Sequence, residues 1–347
     1  VSGRLGQLVW RVAVCGWVAA PLLGFLPDVQ PKVAEWFWWT LASWIVLAVG
    51  MTQPVKRTAP QPWQGLLVIS AVCYATSWWR PEAGRWLSLS IITILAAWMI
   101  TERGEWAWAK WTVIGCAILQ LPILWYQAHL PWPYARIGGT VGKRAACAFL
   151  TGMAALWMPW RWSLPVFVYA AWLTTSWIGW PVALLSSAWR VLGRRGVVGL
   201  MATVSVFGLA VFVVRSHALS YATTGLADRL QLWGALDWLG SSWVWGWGFQ
   251  PFLGGFWDNS VQGTLEGWKF YHSTWIDWLV RTGIPGAIGL GWLGIWVVRR
   301  TRTPMLRWTL ALVVWALTFQ SVEQFPSMLA VLMVWWMRLA QEETRCS

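Results

Sequence analysis

The run WIDWLVRTGIPGAIGLGWLGIWVVRRTRTPMLRWTLALVVWALTFQS, residues 275–321, holds two apolar stretches around one cationic turn. Residues 275–298 and 305–321 have the length and apolar content to cross about 30 Å of hydrocarbon as helices. Between them stand Arg299, Arg300, Arg302, Pro304 and Arg307. Lys and Arg collect on the cytoplasmic side of membrane spans. The turn therefore predicts a helical hairpin in a bilayer and its sidedness, with the arginines inside.

The composition extends this reading to the whole chain. Of 347 residues, 58% are hydrophobic and 11% are Asp, Glu, Lys or Arg. Soluble domains carry about 25% charged residues, so disorder, a coiled coil and an ordinary cytosolic enzyme are excluded. The expected fold class is all-α, a multi-pass membrane protein of a single integral domain, residues 1–347. Twelve candidate spans follow: 8–26, 34–51, 63–79, 83–100, 106–126, 143–159, 163–177, 180–190, 196–214, 275–298, 305–321 and 326–340. The eighth is too short to cross upright, so it is a buried half-span or continuous with its flanks. Prolines mark several ends, among them Pro31, Pro60, Pro131, Pro159, Pro304 and Pro326. The first stretch carries Arg11 and is followed by further spans, so it is expected to remain as an anchor.

With the N-terminus inside and strict alternation, the inner side receives Lys56 and Arg57, Arg103, Lys110, Arg194 and Arg195, the cluster from Arg299 to Arg307, and Arg338. The outer side receives Lys32, Arg80, Arg85, Arg136, Lys143, Arg144, Arg215, Arg229 and Lys269, spread over more loop residues. The net charge of +13 is thus read as orientation. No basic run in a soluble stretch points to nucleic acid. The five cysteines lie in apolar segments or the tail and form no disulfide framework. The long loop, about residues 215–274, faces outward, and loops longer than about 15 residues are usually functional. His129, His217 and His272 also come out on the outer side.

The chain shows no Walker loop, no paired Cys or His ligand set, no Asp or Asn cluster and no Ser nucleophile elbow. The polar residues that remain lie in two outer segments. The first, residues 136–144, reads RIGGTVGKR and leads into the sixth span. Its glycines offer backbone N–H groups, and Arg136, Lys143 and Arg144 offer positive charge at a helix start, which suits a diphosphate. Equally, a glycine turn flanked by cations that snorkel to headgroups would look the same. The second is the long loop, with DRLQLW (228–233), GWGF (246–249) and HSTWID (272–277) running into GIPG (283–286). A neutral His272 at the membrane surface has the chemistry to take a proton from an acceptor hydroxyl; a histidine that hydrogen-bonds a loop carbonyl is the alternative.

The order of these pieces resembles the O-antigen ligase and O-antigen polymerase superfamily of bacterial membrane glycosyltransferases, which includes protein O-oligosaccharyltransferases. The resemblance rests on GGTVGKR before a span, TTS (174–176) ending the next, then DRLQLW, GWGF and HSTWIDWLVRTGIPG (272–286). It covers residues 136–298 at motif level, and the expected topology extends it along the chain. It implies a GT-C-like fold and an enzyme in the bacterial cytoplasmic membrane with its active site facing the periplasm. The implied donor is a glycan on undecaprenyl diphosphate. The acceptor is a hydroxyl of lipid A-core, another glycan or a protein. No metal and no nucleotide are implied, and membrane lipids are the surroundings. His272 then matches the family's loop histidine, the base for the acceptor hydroxyl, and Arg229 the loop arginine on the donor diphosphate. Arg136, Lys143, Arg144 and Arg215 supply positive field; Asp277 is counted with the substrate-binding residues as a structural partner, and Asp228, next to Arg229, is the carboxylate that would orient that arginine. One departure stands out. Where the family carries Ser-Arg-Gly, this chain has Ser176-Trp177-Ile178. The missing arginine keeps two alternatives open: a transporter or flippase for a lipid-linked solute, and a non-catalytic family member.

Tryptophan is abundant, 38 in all. Many lie at expected span ends, where indoles form interfacial belts. Others, such as Trp243, Trp245 and Trp247, fall in the outer loop, where their faces can stack on sugar rings.

Overall fold

The computed structural model describes residues 3–23, 31–52, 61–75, 81–129, 144–159, 161–163, 165–166, 244–246, 273–319 and 326–343. Among the described residues the chain is all-α, without a strand. The long helices are α1 (Gly3–Leu23), α2 (Pro31–Met51), α3 (Gln61–Ala75), α4 (Pro81–Glu102), α5 (Trp106–Ala128), α6 (Arg144–Trp157), α7 (Thr274–Arg300), α8 (Pro304–Phe319) and α9 (Pro326–Glu343). Each falls within a few residues of an expected span. The expected spans 180–190 and 196–214, most of 163–177, and almost all of the long loop lie outside the described residues. Proline opens α2, α4, α8 and α9. At a first helical position its missing N–H costs nothing and its fixed φ suits the helix.

Side-chain contacts fix the helix directions. The Trp17 indole N–H on α1 donates to Ser43 Oγ on α2 at 2.9 Å, and the Ser43 hydroxyl donates to Trp39 O at 2.8 Å. Gln120 on α5 reaches the Leu22 carbonyl at the end of α1, so α1 and α5 run parallel. Arg103, just past α4, donates to the Gly50 carbonyl near the end of α2. Trp106 at the start of α5 meets Trp157 at the end of α6, with ring centroids 6.4 Å apart. Midway along α9, Trp335 donates to the Thr309 hydroxyl in the first half of α8 at 2.9 Å, and Arg338 further along α9 stands 4.9 Å from the ring centre of Trp106 at the start of α5. Neighbours in sequence therefore alternate in direction. One end of the bundle gathers the starts of α1, α3, α5 and α8 with the ends of α2, α4, α6, α7 and α9. Arg103, Lys110, Arg161, Arg299, Arg300, Arg302, Arg307 and Arg338 all belong to this end. Lys32, Arg85 and Arg144 belong to helix starts at the other. The α6 helix finishes at the cationic end and α7 begins at the opposite one, the parity expected with three spans between them.

The core sits around α6. Nearly every side chain from Ala146 to Trp157 is buried, Phe149, Leu150 and Met153 almost completely. A helix apolar on all sides belongs in the middle of its neighbours, and α5, α8 and α9 pack on it. The outer helices instead expose apolar stripes. On α7, Ile284, Ile288, Trp292, Ile295 and Val298 follow one another at helical spacing, with Ile288 68% exposed. Leu5, Leu8, Val9 and Val12 do the same on α1, and Trp108, Trp111, Ile118, Leu119 and Trp125 on α5. Buried hydroxyls bond inside their own helices: Thr101 to Ala97 O, Thr151 to Cys147 O, Thr309 to Leu306 O. Glycine lets helices touch where a side chain would not fit, as at Gly65 against the Trp292 ring.

Among the described residues two helices, Gly3–Leu23 and Trp106–Gln127, are long and apolar enough by length and composition to cross a bilayer. Arg11, an expected intramembrane charge, lies with its guanidinium 5.1 Å from the centre of the Trp108 ring. That pairing is worth about 0.5–2 kcal/mol depending on desolvation.

Candidate functional site

The end of the bundle opposite the cationic cluster carries the candidate site. Two of its elements are helix starts. The central helix α6 begins at Arg144, directly after the glycine-rich segment. Its first-turn N–H groups and positive dipole end therefore point out of the bundle at that end. Helix α7 begins at Thr274, with Ser273 as an extended N-cap (φ −148°, ψ 118°). The Ser273 hydroxyl makes no capping bond; its carbonyl accepts the Asp277 N–H at 2.9 Å. His272 lies just before Ser273 in the sequence and outside the described residues.

Asp277 is 1% exposed and lies in the first turn of α7. A carboxylate there is favoured by the helix dipole. Ser273, Thr274 and Thr282, in the first turns of the same helix, are also buried.

The span expected as one straight helix over 275–298 is broken. Gly283 takes φ +60° and ψ −155°, a region open almost solely to glycine. Pro285 follows and lacks the N–H that would continue the ladder. At the break the Thr282 hydroxyl donates to Trp278 O at 2.6 Å. The reason for glycine is a close approach: a Cβ on Gly283 would lie 2.5 Å from the Val244 carbonyl oxygen and 2.7 Å from the Gly246 nitrogen. Gly246 itself has φ +74°. The first glycine of GWGF thus rests on the first glycine of GIPG, and residues 244–246 are seated on α7. Sequence reasoning missed this contact, although both glycines were in view. Two motif glycines with no other role are the signal that would have found it.

No family model, curated protein or solved structure matches the chain. The site therefore rests on its residues alone. Of those named in the sequence, the structure positions Asp277 and the backbone of Arg144. His272, Arg229, Arg136, Lys143 and Arg215 lie outside the described residues, as does Trp177 in place of the family arginine. His129 closes α5: its Nδ1 donates to Trp125 O at 2.7 Å, and its ring lies 4.3 Å from the Trp125 ring. That is a structural histidine, with one ring nitrogen already committed.

Proposed function

We propose that the chain is a multi-pass membrane glycosyltransferase of the O-antigen ligase and polymerase type, with about twelve spans in a GT-C-like arrangement. It moves a glycan from undecaprenyl diphosphate to a hydroxyl of lipid A-core, another glycan or a protein, at the periplasmic face of the bacterial cytoplasmic membrane. The membrane part is supported by the exposed stripes of α1, α5 and α7. Soluble monomers do not expose apolar surface so continuously. The observation that carries the site is the seating of residues 244–246 on Gly283, which joins two of the ordered motifs directly beyond His272.

In this reading His272 accepts the proton of the acceptor hydroxyl as its oxygen attacks the anomeric carbon of the donor sugar. The bond from that carbon to the diphosphate oxygen breaks, and undecaprenyl diphosphate leaves with the electron pair. Arg229 holds the diphosphate. Arg136, Lys143, Arg144 and Arg215, with the α6 N-terminus, balance the charge that develops on it. Asp277, buried in the first turn of α7, serves as a structural partner beside the site.

The test is transfer in proteoliposomes holding the purified chain, a labelled glycan on undecaprenyl diphosphate and candidate acceptors. The expected result is a labelled acceptor product that forms equally well in excess chelator. Transfer abolished by the chelator and restored by a divalent ion would contradict the mechanism. A second reading, a transporter of a lipid-linked solute, is favoured by the broken helix α7, since transporters use interrupted helices near their sites. Movement of the labelled lipid across the vesicle without product would select it.

A further inference from the structure

Between Asp237 and Asp258 the sequence of the outer loop carries no charged side chain, and Trp, Phe, Leu and Val crowd the stretch. Gly246, Gly248, Pro251, Gly254 and Gly255 interrupt it, so it does not read as a spanning helix. Loops that face water are ordinarily polar. Residues 244–246, the described part of this stretch, form a tight turn that ends on Gly246 at φ +74°. The backbone of the turn faces α7: the Val244 carbonyl oxygen and the Gly246 nitrogen are the atoms nearest to where a Cβ on Gly283 would lie. Its side chains stay open, Val244 45% and Trp245 63% exposed. The next residue on the helix, Ile284, is exposed as well, and Ile288 follows one turn on. An apolar turn thus adjoins the head of the exposed apolar stripe of α7.

Depth along α7 tells which medium these side chains meet. Arg299 closes the apolar run of the helix at the cationic end. Gly283 lies sixteen residues before it, about 24 Å at 1.5 Å per residue. The hydrocarbon layer is about 30 Å thick, which puts the turn roughly 6 Å inside its outer edge. Irregular backbone at that depth is tolerated only against protein, and the backbone of this turn rests on Gly283. An indole suits the same depth, with its ring in lipid and its N–H near the headgroups. We propose that the Val244–Trp245 turn is a membrane contact. It dips from the outer side into the outer leaflet beside Ile284 and Ile288, with Trp245 as its lipid-facing anchor. Its partner is the lipid layer itself. The contact holds the GWGF segment at headgroup level, where a lipid-carried substrate presents its polar end. The proposal rests on the membrane part of the function proposed above and not on glycosyl transfer.

The experiment attaches a nitroxide label to Trp245→Cys, Ile288→Cys or Arg302→Cys in the full chain lacking its native cysteines, reconstituted in phosphatidylcholine vesicles. Collisions with oxygen, which concentrates in hydrocarbon, are compared with collisions with a nickel chelate confined to water and present on both sides. Oxygen should dominate at position 288, and the chelate at position 302, an exposed residue of the cationic turn. At position 245 the oxygen-to-chelate ratio is expected to exceed that at 302 severalfold and to fall below that at 288, as the outer leaflet requires. A ratio at 245 equal to that at 302, with 288 in lipid, would overturn the contact. It would return Trp245 to the aqueous loop, where an indole can stack on a sugar. A ratio at 288 equal to that at 302 would remove the membrane reading itself, and the contact with it. Should Trp245→Cys not accumulate, Val244→Cys on the same turn carries the label, and the same ratios support or overturn the contact.

Discussion

Gly283 shows how one residue can hold a site together. Its backbone conformation excludes L side chains, and a methyl group would meet the Val244 carbonyl at 2.5 Å. Gly283→Ala is expected to cost about 1–3 kcal/mol for the backbone alone. It should also unseat residues 244–246, so transfer activity should fall at least tenfold in protein that still extracts as a folded monomer. Activity and Tm both equal to the parent would remove the clamp from the account. The glycine was legible in the sequence as part of GIPG, but its role was not. A close backbone approach between residues about forty apart leaves no local pattern. Asp277 was legible as a candidate, and its near-complete burial was not, because burial depends on packing across helices. The guanidinium of Arg103 illustrates the same limit. Burial lowers its pKa from the ordinary value while the Glu102 charge opposes this, and neither effect can be read from an isolated Arg in a loop.

At the scale of elements, periodicity and proline positions were enough to place the described helices. Each described long helix coincides with a long apolar run, and proline at a first helical position marks the start of four of them. What they could not give was rank. The α6 helix is no more apolar than α2 to the eye, yet among the described helices it is the one enclosed on all sides. Phe149→Ala should therefore destabilise the fold by about 3–5 kcal/mol, whereas Ile288→Ala on the exposed stripe of α7 should cost less than about 1 kcal/mol in detergent. Thermal unfolding of both variants compares them. Similar losses would place α6 at the periphery. Trp17→Phe removes the indole N–H that reaches Ser43 and should cost about 1 kcal/mol, read in the same assay.

For the whole molecule, the expected alternation of direction agrees with the helix ends that the structure brings together. The cations expected on the inner side, Arg103, Lys110, Arg300 and Arg338, gather at one end of the bundle with their tryptophans. This is why counting Lys and Arg was informative: in a bundle that alternates, charge placed at one end must recur in every second turn. The tryptophans carried less. Their abundance in the sequence hid the fact that those paired with cations, among the described residues, lie at a single end. The account places residue 129 outside and residue 302 inside. In intact spheroplasts of a variant lacking its native cysteines, His129→Cys should react with a membrane-impermeant thiol reagent. Arg302→Cys should react only after permeabilisation. The reverse pattern would invert the topology and move the candidate site to the cytoplasm.

The central claim is glycosyl transfer with His272 as the base, and one comparison addresses it most directly. Proteoliposomes with equal amounts of parent and His272→Ala protein receive the same undecaprenyl-diphosphate glycan and acceptor, and product is followed over time. The account predicts product with the parent and a loss of about 10²–10⁴-fold with the variant, at unchanged Tm. Equal turnover by the two proteins would contradict it.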